Sequence, residues 1–132
     1  MPTQNSIEND FKIAIVHLIL NKQTEQAIEL LAKKYNVETP KLKVGLPKGH
    51  TRNAYGTYDA RDQIISVLNS DIFSNPFVVI HEFYHHLRCK NVDKQHRGTE
   101  KNADKFAVDY LRAYETAAKS STQTSEKKLN AN

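Results

Sequence analysis

The 132 residues, 39% of them apolar, suffice for one domain with a modest core and are too few for two. A lone cysteine, Cys89, excludes an internal disulfide framework and a cysteine-built zinc site, and suits a reducing, cytoplasmic setting. The net charge of +4 draws partly on Lys119, Lys127 and Lys128 against Glu126, so it implies at most weak, non-specific attraction to nucleic acid.

In chain order, apolar residues recur at helical spacing from about Ile7 to Leu20 and again from about Thr24 to Tyr35, with Asn21 to Gln23 as the break. The apolar run Phe11 to Leu20 is too short to span a bilayer, and no membrane role is expected. Pro40, Gly45, Pro47 and Gly49 punctuate the next stretch, leaving "KLKVGL" room for only a short strand. "AYGTYDARDQIISVLN" alternates and is rich in Tyr, Thr, Ile and Val, which predicts a hairpin turning near Ala60 to Asp62. A helix then opens with Asn75 as N-cap and Pro76 at its first position, where the missing N–H costs nothing. Thr99 can cap a last helix running to about Ala118, and the polar residues 119–132 read as a disordered tail. The expectation is an α+β domain over residues 1–118: two N-terminal helices, a small antiparallel-rich sheet, and two further helices.

The helix after Pro76 carries the chemistry. In "VVIHEFYHHLRCK", Val78 to Lys90, apolar residues point in nearly every direction, so the helix is mostly buried. Burying imidazoles and a carboxylate there is costly unless something pairs with them. At about 100° per residue, His85 lies about 40° from His81, and Glu82 about 100° from it, so all three share one side. His81 and His85 stand one turn apart, where two imidazoles can converge on one tetrahedral ion, with Glu82 beside it to take a proton from the activated water.

A catalytic zinc needs a third protein ligand, and "TEKNADKFAVDYL" supplies a candidate. Glu100 opens the next predicted helix after a loop long enough to bring it back. Asp104, one turn on and on the same face, can accept the other ring N–H of a ligand histidine and fix its tautomer. Ala103, Phe106, Ala107 and Leu111 give this helix an apolar side to pack on its predecessor.

"HEFYHH" followed by "ExxADxFAxxxL" resembles the gluzincin metallopeptidases, and is similar in particular to the small ImmA/IrrE-type peptidases and the archaeal minigluzincins. The resemblance covers roughly Ala54 to Leu111. It implies one zinc per chain held by His81, His85 and Glu100, with Glu82 as general base and Asp104 behind a ligand. The implied activity is hydrolysis of peptide bonds in a protein or peptide substrate. It also implies a sheet edge that aligns the substrate backbone, a role for the hairpin. The SprT-like, DNA-associated proteases share an HExxH core but take a third histidine, for which His96 is the candidate. A structural zinc without turnover is the other reading of the same residues.

Three further points are left to the structure. His86 is turned about 140° from His81 and is assigned a packing or polar role rather than the metal. Cys89 is expected to be an inert, packed thiol. The group that would stabilise an oxyanion has no clear position among Tyr55, Tyr58, His96, Tyr110 and Tyr114. Neither the physiological substrate nor the oligomeric state is legible.

Overall fold

A computed structural model describes residues 4–46, 55–90 and 99–130. The two N-terminal helices form as their periodicity predicts. Helix α1 spans Gln4–Leu20 and buries Ile15, Val16 and Ile19; α2 spans Thr24–Tyr35 and buries Ala27, Ile28, Leu31 and Ala32. Between them the Asn21 side-chain amide donates to the His17 carbonyl oxygen at 2.8 Å, occupying one of the acceptors a helix end leaves open. Asn36 closes α2 in the left-handed conformation (φ 57°), its N–H turned back to the carbonyls of Ala32 and Lys33, as a C-terminal cap requires.

Three short strands follow: β1 (Lys41–Val44), β2 (Gly56–Asp59) and β3 (Ile64–Val67). The hairpin turns where expected, and β2 pairs with β3 antiparallel with Tyr58 opposite Ile65. Its turn is stabilised by Asp59, whose carboxylate accepts from the Arg61 and Asp62 N–H groups at 2.9 and 3.3 Å. β1 joins the other side of β3 in parallel, giving the order β1-β3-β2 and a mixed sheet. The α+β architecture is as the sequence predicts.

A 3-10 turn over Ser70–Ser74 leads into α3 (Pro76–Cys89). Asn75 caps α3 by accepting from the Val78 N–H at 3.3 Å, with Pro76 in the first turn. Helix α3 is the centre of the molecule: Val79, Ile80, Phe83 and Leu87 enter one core cluster with Ile15, Ile19, Ile28, Leu31 and Ile65. Helix α4 begins at Thr99 and lies along α3, where Ala103 and Ala107, both fully buried, allow the two backbones to approach closely. Tyr110 of α4 and Tyr35 of α2 meet hydroxyl to hydroxyl at 2.9 Å, tying the N-terminal pair to the C-terminal helix.

The helix does not stop near Ala118. It continues as backbone to Asn130, across a segment with no proline or glycine to end it. Low apolar content argues against packing, not against helical backbone, which is why composition placed the boundary too early.

Candidate metal centre

Helices α3 and α4 bring together the residues that the sequence singled out. The His81 and His85 Nε2 atoms stand 3.3 Å apart. The Glu100 carboxylate closes the group: one oxygen lies 3.2 Å from His81 Nε2 and the other 2.9 Å from His85 Nε2. The ligating atoms of these three residues all fall within 4.8 Å of one another, so the cluster can hold a metal ion. Both imidazoles are largely buried, whereas the Glu100 side chain is 79% exposed.

Asp104 lies behind His81, its Oδ1 2.9 Å from Nδ1. A carboxylate only accepts, so the Nδ1–H donates and the neutral ring keeps its lone pair on Nε2. That lone pair meets a Glu100 oxygen at 3.2 Å. Two acceptors face each other, a contact that needs a proton or a cation between them. The donor set therefore fits a metal ion, and Asp104 fixes the ring in the tautomer that a metal requires.

Glu82 borders the cluster without closing it, with Oε2 3.9 Å from His81 Nε2. Burial pushes its carboxyl up to about 7; His81 opposes the shift and Glu100 adds to it. A carboxyl in that range can take up and release a proton near neutral pH. Burial lowers the His85 imidazole; Glu100 opposes this, and His81 and Arg88 add to it.

His86 takes the polar, packed role assigned to it. Fully buried, it has Nε2 at 2.6 Å from the Glu38 carbonyl oxygen and Nδ1 at 2.7 Å from the Tyr58 hydroxyl. The carbonyl must accept, so Nε2–H donates and Nδ1 accepts from Tyr58 O–H. Tyr58 is thereby removed as an oxyanion donor, its O–H committed to His86, and Tyr110 is removed by its burial against Tyr35. Cys89 corrects an expectation. It is exposed rather than packed, its thiol facing the Ala60 carbonyl oxygen at 3.8 Å, because the end of α3 runs out under the hairpin turn. His96, the alternative third ligand, lies outside the described residues.

Two participants escaped the sequence reading. Gly56 is where β2 crosses α3: a β carbon there would stand 2.8 Å from Val78 Cγ1 and 3.3 Å from Glu82 Cγ. A glycine inside a strand pattern signals such a close approach, so the clue was present. Arg88 lies on the histidine side of α3 and has a buried Nη1 with no hydrogen-bond partner. Nothing in its sequence context marks it out. A cavity of about 1010 Å³ between the start of α2, Leu42, Val44 and the 3-10 turn shares no residue with the cluster, so donor geometry and not concavity locates the site.

Among protein-family models, curated proteins and solved structures, none matches this chain. No described helix is long and apolar enough to cross a membrane.

Proposed function

We propose that the chain is a zinc-dependent endopeptidase of gluzincin type. The observation that carries the reading is the convergence of His81 Nε2, His85 Nε2 and the Glu100 carboxylate, with Glu82 held beside them. Ligands about 2.0–2.2 Å from a tetrahedral centre lie roughly 3.3–3.6 Å from one another, close to the 3.2 and 3.3 Å separations at His81 Nε2. Two imidazoles and a carboxylate suit zinc and leave a coordination position for the reaction. The lone cysteine supports a cytoplasmic setting.

When bound, zinc supplies Lewis acidity toward the scissile carbonyl and the attacking water. The chain's own residues do the rest. Glu82 takes the proton that the water loses as its oxygen bonds to the carbonyl carbon, and delivers it to the nitrogen as the C–N bond breaks. Asp104 keeps His81 oriented throughout. The Leu68 N–H donates to the Tyr55 carbonyl oxygen at 2.8 Å, which sets the alternation along the hairpin. Gly56 and Tyr58 therefore turn their backbone N–H and C=O groups away from β3, toward the edge unpaired among the described residues. An extended substrate can add there as a strand beside β2, whose Gly56 lies against Glu82.

The test combines metal content with turnover of an unfolded protein such as casein. Wild-type chain is expected to carry about one zinc and degrade casein, and Glu82→Gln to keep the zinc and lose activity by about 10²-fold or more, the scale of a general base. A fully active Glu82→Gln variant would overturn the reading.

A further inference from the structure

Arg88 has no part in the chemistry above. It sits three residues beyond His85 and seven beyond His81 on α3. That places it about 4.5 and 10.5 Å further along the axis and within roughly 20° of His81 around it. Helical side chains lean toward the N-terminus, so the guanidinium is carried back toward His85 rather than off the helix end. Its Nη1 is buried without a hydrogen-bond partner, and Arg88 forms no ion pair among the described residues. Glu100 and Asp104, the carboxylates of this face, are both turned to the imidazoles. A guanidinium cannot shed its proton to relieve the deficit, so a buried donor of this kind is costly until an anionic acceptor arrives.

We propose, on the basis of the peptidase reading, that Arg88 determines specificity: its guanidinium receives a carboxylate of the bound peptide, from an acidic side chain or the chain terminus. The planar fork of N–H donors matches a carboxylate in a way that an ammonium does not. The protein then prefers acidic peptides, or peptides with a free C-terminus close to the cleaved bond.

The test measures binding apart from turnover. Full-length, zinc-loaded Glu82→Gln is titrated with four forms of one fluorescent hexapeptide: glutamate or glutamine at one position, each with a free or an amidated C-terminus. At least one carboxylate form is expected to bind tenfold or more tightly than the neutral form, and which one does so identifies the source. Adding Arg88→Gln should bring that ratio to about one, while Arg88→Lys keeps part of it. Equal binding of all four, binding of none, or a ratio that survives Arg88→Gln overturns the proposal. Melting supplies an independent readout: Arg88→Gln removes a buried donor atom that has no partner and should melt no lower than its parent. A fall of several degrees would make Arg88 a packing element and end the assignment. Casein degradation by the wild type reports separately on the peptidase reading. Preference without degradation removes that reading alone, and degradation without preference removes the Arg88 assignment alone.

Discussion

Replacing Gly56 with alanine tests how tightly the sheet is laid on the helix that carries the site. The added carbon would stand 2.8 Å from Val78 Cγ1, 3.3 Å from Glu82 Cγ and 3.4 Å from the Ser66 carbonyl oxygen. The first distance is well inside van der Waals contact. Val78 cannot swing aside, because a β-branched residue within a helix is held to essentially one rotamer. Relief must come from moving β2 away from α3, and overpacking of this kind costs about 1–3 kcal/mol. For a chain of this length that is a melting-temperature loss of roughly 4–12 °C. Moving β2 also alters the wall against which Glu82 packs, so casein turnover should fall about tenfold or more with zinc retained, as expected of a misplaced catalytic group. Thermal and denaturant unfolding measure the first effect, and turnover with metal analysis the second. Val78→Ala supplies the internal check: if the 2.8 Å contact is the cause, the double variant should recover at least half of the Gly56→Ala loss. Strictly additive losses, or a Gly56→Ala cost below about 0.5 kcal/mol with full activity, would refute the reasoning.

Chelation of the purified protein should lower its melting temperature and abolish casein turnover, since a ligand of the native state stabilises it; unchanged melting and turnover after complete metal removal would contradict the site. Glu100→Ala should lose the metal most completely, whereas Asp104→Asn, which leaves all three donors in place, should weaken affinity by about 10- to 100-fold in a competition titration. Equal affinities for wild type and Asp104→Asn would show that the 2.9 Å contact to His81 does not set the tautomer. Tyr58→Phe strips the donor from buried His86 Nδ1 and should cost about 1–3 kcal/mol in denaturant unfolding without changing zinc content. Loss of zinc at undiminished stability would place Tyr58 in the site instead.

The residues that converge on the cluster were legible because helices translate spacing into position. His81 and His85 at one turn, and Glu100 and Asp104 at one turn, can face each other only if α3 and α4 pack, and the alanines of α4 announce that they do. The hairpin was legible for a similar reason, since alternation and turn residues are local. What stayed hidden depends on elements meeting across the fold. The parallel seat of β1 on β3 has no signature in four residues of strand. The hydrogen bonds of His86 to Tyr58 and Glu38 join partners 28 and 48 positions away. The missing acceptor at Arg88 exists only once the helix is packed. The length of α4 was misjudged because helical backbone asks less of a sequence than a buried face does.

The described catalytic candidates, from Gly56 on β2 to Asp104 on α4, fall within one stretch of fewer than 50 consecutive residues. Most of the large aliphatic side chains that bury α3 come instead from α1 and α2: Ile15, Ile19, Ile28 and Leu31. The candidate donors and much of the packing that supports their helix thus come from different parts of the chain. At the buried aliphatic positions of the N-terminal helices, drift is answerable to volume and apolarity, and interchange of similar side chains there is tolerated. The contiguous segment has no such freedom, because it is answerable to donor atoms and their angles. A transplant of that segment into another scaffold would carry the donors with it, and would still need from its new host a replacement for the four side chains that α1 and α2 supply.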